Sequence, residues 1–243
     1  MTRGILIAGN ESSLFSAAAA EAVKRVASFA SAQIPNRFPL PDKESVPSSK
    51  TAIMAGAIPL SWNPVSPISA RTLILAAENR LKQINDAVLI CSPPAVFKTA
   101  EALTPQEIDI LVSDHIKGWF FLIRELIQYF RRTVPQTSGS AEPSAEVPGK
   151  CSLSFVIPEI SAPNGAKNTP ADLLGPSAAA SFRAFAQAIL ASSAQEPFQI
   201  MGFTSAETGA ETDFAAWFFK ILDEGARKNS GRWHKYSKLG FFR

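Results

Sequence analysis

What most constrains this 243-residue chain is a set of short apolar runs, each leading through a tight turn into a helical pattern. The first is Gly4-Ile5-Leu6-Ile7-Ala8-Gly9, followed by Asn10-Glu11-Ser12-Ser13 and an alanine-rich stretch through Ala17-Ala18-Ala19-Ala20. An unbroken run such as Ile5-Leu6-Ile7 suits a strand buried on both faces, the condition of a strand inside a parallel sheet. Gly9 frees the backbone to turn, while Asn10, Ser12 and Ser13 are residue types that cap helices. A strand, turn and helix in this order is also where nucleotide-binding folds hold a phosphate on free helix N–H groups.

The alternation recurs along the chain. Ala52 to Leu60 predicts a strand, and Leu73, Ala76, Ala77 and Leu81 predict a helix opening at Ser69. Asp86 to Cys91 is a further apolar strand, stopped by Ser92-Pro93-Pro94. Later strands are expected at Ser152 to Ile157, Phe198 to Phe203 and Gly231 to Lys238, with helices over 176–192 and 211–228. The first helix is expected to reach about Ala30. Strands and helices alternating over the whole length predict the α/β class: a three-layer, doubly wound parallel sheet of Rossmann-like type, one domain spanning residues 1–243. Prolines at 35, 39, 41 and 47 make 33–50 irregular, with Arg37-Phe38-Pro39-Leu40 a candidate short edge strand. That stretch is expected to cover the ribose end of a cofactor cleft. A second irregular loop, 133–150, is rich in Ser, Pro and Glu.

One helix is expected over 105–132. Its apolar positions, among them Ile108, Leu111, Val112, Ile116, Trp119, Phe120, Leu122, Ile123, Leu126 and Phe130, are too many for a single core stripe. A second copy of the chain, or a related subunit, is therefore expected against this helix. Composition narrows the other partners. Lys and Arg exceed Asp and Glu by 24 − 21 = 3, which gives nucleic-acid binding no support. No apolar run has the ~20 residues needed to cross a bilayer, so no membrane partner is expected and a cytoplasmic location is. Cys91 and Cys151 are expected as buried free thiols, and two distant histidines, His115 and His234, predict no metal site.

The order and spacing of these segments resemble the short-chain dehydrogenase/reductase family over nearly the whole chain. Ile58 to Ser66 followed by Ile84 to Ile90 resembles that family's strand, acidic-residue turn, helix and "D-x-L-V" strand. His115-Ile116-Lys117-Gly118-Trp119-Phe120 resembles the "N-x-x-G-x-F" of its interface helix, and Ser230-Gly231-Arg232-Trp233 its lead into the last strand. The resemblance implies a nicotinamide cofactor, and a Tyr–Lys pair with Ser and Asn as the catalytic set. It also shows where this chain departs. The family's "T-G-x-x-x-G-x-G" turn falls on Ala8 to Phe15, with only Gly9 kept, Ser13 and Phe15 replacing the other glycines. A Cβ and an aromatic ring there are expected to crowd a cofactor diphosphate. The acidic residue at the adenine end falls at Ser61, and the "N-A-G" near Cys91-Ser92-Pro93. The catalytic Asn falls on His115, the Ser near Pro158-Glu159, and the Tyr and Lys near Gly175 and Ala179, or Pro176 and Ala180. The "P-G" after the sixth strand falls at Ser205-Ala206.

Two readings follow. In the first, the chain is a divergent member of the fold that has lost nicotinamide chemistry, has no catalytic residues and no cofactor, and serves as a binding or assembly partner. Reduction of a carbonyl needs a proton donor at the oxyanion, and the resemblance leaves none in place. In the second, the chain is an NAD(P)-dependent oxidoreductase with a non-standard site, in which His115 and Glu159 form an acid/base couple at the carboxyl ends of the strands. Either reading draws ligand contacts from the same cleft, with Gly9, Asn10, Ser12, Ser13 and Ser92 as the cofactor-binding candidates. The ordinary explanation of His115 is a capping or packing residue, and of Ser12 and Ser13 a helix cap.

Overall fold

The computed structural model describes residues 3–26, 29–35, 37–38, 56–134, 151–159 and 172–238. Among them, seven parallel strands form one sheet: β1 (Ile5–Asn10), β2 (Phe29–Ile34), β3 (Ala57–Leu60), β4 (Asp86–Ile90), β5 (Ser152–Pro158), β6 (Gln199–Ser205) and β7 (Arg232–Tyr236). Their order is β3-β2-β1-β4-β5-β6-β7. The helices are α1 (Ser13–Arg25), α2 (Pro67–Leu81), α3 (Pro105–Val112), α4 (Gly118–Thr133), α5 (Leu174–Ala191) and α6 (Glu211–Glu224). The expected three-layer, doubly wound Rossmann-like fold is the one observed.

Alternation inside the apolar runs assigns each residue to a layer. Ile5, Ile7, Val88, Ile90, Met201 and Phe203 pack with α1 and α6 on one face. Leu6, Ala8, Leu89, Leu153, Phe155 and Ile200 point the other way, towards α2, α4 and α5. The central strands β1 and β4 are buried throughout, which is why they read as unbroken apolar runs. Ser12 caps α1 by accepting from the Phe15 N–H at 3.1 Å, and Ser66 caps α2 by accepting from the Ser69 N–H at 3.2 Å. A reciprocal capping box of Thr104 and Glu107 starts α3. Gly225, in the left-handed region at φ 52°, ends α6 four residues short of the expected boundary.

Two expectations are corrected. The first helix stops at Arg25, and Phe29–Ile34 is a strand beside β1 instead of a helix end and the start of an irregular stretch. Ala30 and Ala32 have weak strand preference, but between β1 and β3 their small side chains are fully buried, and packing overrides propensity. The helix expected over 105–132 is helical without a gap from 105 to 133, but a π turn at Ser113–Lys117 separates its α-helical parts α3 and α4. Much of its wide apolar surface is taken up within the chain: Trp119, Leu122, Ile123, Leu126 and Phe130 are fully buried in the core under α2 and α5. Trp119 packs against Trp62 and Phe182 with ring centres 5.5 and 4.9 Å away. What stays exposed is Ile108, Val112 and Phe120, the last with its ring 4.2 Å from that of Phe185. Residues 39–50, 52–55 and 135–150 lie outside the described residues, and so do Pro39 and Leu40 of the candidate edge strand. Arg37 and Phe38 are not in a strand.

Candidate functional site

From β1 the chain moves outward to β2 and β3, then returns to β4 on the other side of β1. The connections leaving β1 and β4 therefore diverge, and a crevice opens at their carboxyl ends, the place where open α/β sheets bind ligands. A cavity of about 260 Å³ lies there. Asn10 and Glu11 reach it from the turn after β1, and Gln33, Ile34 and Pro35 from the end of β2. Ser92 and Pro94 line it from the loop after β4, and His115 from the π turn.

Each wall has a local cause. Gly9 is buried beneath the turn, and a Cβ there would lie 2.7 Å from the Ile90 carbonyl oxygen and 3.2 Å from the Phe15 ring. The Phe15 ring is itself taken into the core between β1, β4 and α1, 4% exposed, and does not line the cavity. The π turn adds a residue to the helical path, and Ser113, Asp114 and His115 all end up buried. Asp114 is held by Arg37 in a two-pronged ion pair, with Nε to Oδ2 at 2.8 Å. Phe38 stacks near His115 at 6.2 Å between ring centres. Past Ser92, the loop is tied to the start of α5 by Asp172, whose Oδ1 accepts from the N–H groups of Val96, Leu174 and Gly175 at 3.0–3.2 Å.

The polar chemistry centres on Asn10 and His115. Asn10 Nδ2 donates to His115 Nδ1 at 3.5 Å, a long contact. With Nδ1 accepting, the proton of the neutral ring sits on Nε2. Burial pushes the imidazole down to about 4; the Arg37 guanidinium adds to the depression and the Asp114 carboxylate opposes it. His115 is thus neutral at pH 7. Asn10 is 8% exposed, and its Oδ1 has no hydrogen-bond partner among the described residues.

Of the residues singled out by sequence, Asn10, Ser92 and His115 are brought together at this cavity. Ser12 is engaged as the cap of α1, and Ser13, the first residue of that helix, is exposed; neither lines the cavity. Glu159 is not joined to His115: its carboxylate accepts from Thr204 Oγ1 at 3.4 Å and lies 3.7 Å from Lys235 Nζ. Ser61 directly follows β3 and precedes α2 and β4, the order of elements in which the resemblance set it, and it does not line the cavity. Gln33, Ile34 and Pro35 line the cavity from the end of β2; the stretch from residue 33 was expected over the cleft, but as an irregular segment instead of a strand end. At Gly175, one of the two positions on which the family's tyrosine falls, a Cβ would lie 2.3 Å from the Asp172 carboxylate, which accepts from the first N–H groups of α5. Asp172 was missed; a lone Asp two residues before an apolar helix was its only signal. Among the described residues there is no group of three or more His, Cys, Asp or Glu able to hold a metal, and no helix long and apolar enough to cross a membrane.

By sequence, no family model and no curated protein matches the chain. By structure, the chain is similar to a 3-ketoacyl-(acyl-carrier-protein) reductase from Brucella melitensis complexed with NADH, at 14% identity and a TM-score of 0.68, with 96% of each chain covered. It is likewise similar to a short chain dehydrogenase from Mycobacterium smegmatis, at 10% identity and a TM-score of 0.68, covering 98% of this chain and 92% of that one. A third is an NADH-dependent reductase, A1-R′, responsible for alginate metabolism, at 12% identity and a TM-score of 0.66, covering 97% and 95%. The fold is that of the short-chain reductases. Since some of these relatives in fold hold NADH or NAD, the likeness gives no support to the expectation that this chain has no cofactor.

Proposed function

We propose that this protein is a small-ligand-binding member of the dehydrogenase fold, acting as a binding or assembly partner without hydride transfer between NAD(P) and a carbonyl. The observation that carries the reading is the cavity at the β1/β4 switch point, whose polar groups among the described residues are neutral Asn10, Gln33, Ser92 and His115 with one carboxylate, Glu11. Such a lining suits hydrogen bonding to a small molecule, and about 260 Å³ sits just below the ~300–1,000 Å³ usual for ligand pockets. It does not suit a dinucleotide diphosphate, because no described lining residue is a Lys or Arg and the turn keeps one glycine. His115, neutral at pH 7 with a conjugate acid near 4, is a weak proton donor for an oxyanion. The alternative, an NAD(P)-dependent oxidoreductase worked by His115 and Glu159, loses support from the separate partners of those two residues. Titration of the intact protein with NADH and NADPH tests the reading: no saturable binding at low micromolar nucleotide is expected, and saturable binding with turnover overturns it.

The reading takes residues 1–243 as one domain and includes association of two copies, or of this chain with a related subunit, across α3 and α4. Ile108, Val112 and Phe120, exposed by 37–44%, support it beside the half-buried Phe185. Light scattering is expected to give a dimer or larger for the wild type and a smaller species for Phe120→Asp. A monomer at every concentration, with no partner retained, would end this part of the reading.

A further inference from the structure

Next to the cavity lies an apolar recess that the chain fills with one of its own rings. Pro35 lines the cavity from the end of β2, and three residues later Phe38 packs with Val96, Leu111, Leu174 and Ala178. Those four belong to the loop after β4, to α3 and to α5, on the far side of the β1/β4 switch point from β2. Three residues reach at most ~11 Å, so the chain from Pro35 to Phe38 crosses the crevice by a short path. His115 borders both compartments: it lines the cavity, and its ring faces that of Phe38 at 6.2 Å between centres and 27° between planes. Arg37 holds the crossing in place through its two-pronged ion pair with Asp114. Asp114 is fully buried, whereas the Arg37 side chain is 41% exposed. The pair therefore ties a surface residue to a carboxylate that cannot lose its counterion without cost.

We propose that Phe38 is an internal stopper of this ligand cleft, with the Arg37–Asp114 pair as its latch. The recess between Val96, Leu111, Leu174 and Ala178 is then a subsite for a planar, uncharged ring of the ligand, and the phenyl ring of Phe38 stands in for that ring. A ligand enters the recess only when Phe38 swings out, so its apparent affinity is the intrinsic one reduced by the fraction of open protein. Opening strands the buried Asp114 carboxylate, which keeps that fraction small. The apolar walls reward an incoming ring with the burial that now holds Phe38, and they penalise a charged group. The inference rests on the reading of the cavity as a ligand site and adds to it a second compartment whose occupancy the chain itself controls.

Isothermal titration with indole, a planar uncharged ring, tests this on the full-length wild type, Phe38→Ala and Asp114→Asn, each checked for folding by circular dichroism. Phe38→Ala removes the stopper. Asp114→Asn keeps the Phe38 ring and releases only the latch, without leaving a buried charge unpaired. Indole is expected to bind Phe38→Ala most tightly and wild type most weakly. Asp114→Asn is expected between them, about tenfold or more tighter than wild type. Were Phe38 only a packing residue, its ring would still fill the recess in Asp114→Asn, so equal affinities of that variant and wild type overturn the inference. Equal affinities of Phe38→Ala and wild type overturn it too, because no subsite then lies under the ring. Phe38→Leu replaces Phe38→Ala if the larger truncation does not fold, and either comparison alone is decisive against the stopper. Saturable NADH binding by wild type defeats the reading beneath instead, and leaves the order of the three proteins towards indole to be judged by itself.

Discussion

Acid sensitivity through His115 can be worked out from the structure. Burial lowers its imidazole to about 4 from an ordinary 6.5, so the folded state binds fewer protons than the unfolded chain between these values. The sign follows: the stability His115 contributes is fully present above pH 6.5 and is lost progressively as pH falls towards 4. Between pH 7 and pH 5 the linkage relation gives a loss of about 2 kcal/mol from this one group, against the ~5–15 kcal/mol of a typical domain's stability. The facing charges are Asp114, which favours the protonated ring, and Arg37, which opposes it, and the figure already includes both. Carboxylates elsewhere titrate over the same range, so the informative quantity is a difference. Urea unfolding of wild type and His115→Gln at pH 7 and pH 5 gives it, with the variant losing about 2 kcal/mol less than the wild type over that interval. Equal losses in the two proteins would refute the claim that His115 is held buried and neutral. Smaller equal m-values in both at pH 5 would point to a change in compactness instead.

Two further outcomes follow from the same packing. Tyr129→Phe leaves the buried Ile84 N–H, now 2.9 Å from the phenol oxygen, without its acceptor, and thermal unfolding is expected to show a loss of about 1–3 kcal/mol. Asp172→Ala removes the acceptor of three backbone N–H groups, and a loss of about 1–2 kcal/mol is expected, with faster amide exchange at Val96 and Gly175 against unchanged exchange in β1.

How much was legible depended on whether a residue's role was local. Ile5 to Ile7, Asp86 to Cys91 and Ser152 to Ile157 read directly as strands because a strand buried on both faces needs apolar side chains throughout. Ser12 read as a cap for the same local reason. Phe29–Ile34 did not read as a strand: Ala30, Ser31 and Ala32 continue the composition of α1, and only pairing with β1 and β3 makes them extended. That one omission made Gln33 and Ile34 part of an irregular stretch over the cleft, where they are the end of β2. The π turn was invisible because apolar spacing continues across Ser113–Lys117; its effect, turning Asp114 and His115 inward, needs three dimensions. The width of the α3–α4 apolar surface pointed to a partner, yet much of it is covered by Trp62, Phe182, Phe185 and Phe198, residues distant in sequence. Asn10, Ser92 and His115 were found because they sit at strand ends and helix starts, the positions that architecture alone assigns to a cleft. Glu159 sits at such an end too, but beyond β5, where Lys235 and Thr204 engage it.

We propose that this dehydrogenase-type fold keeps a ligand cleft without the means to hold and use a dinucleotide. Titrating the intact protein with NADH and NADPH while following tryptophan fluorescence tests it most directly. No saturation at low micromolar nucleotide is expected. Saturable quenching in that range, accompanied by oxidation of the nucleotide when a carbonyl compound is added, would contradict it.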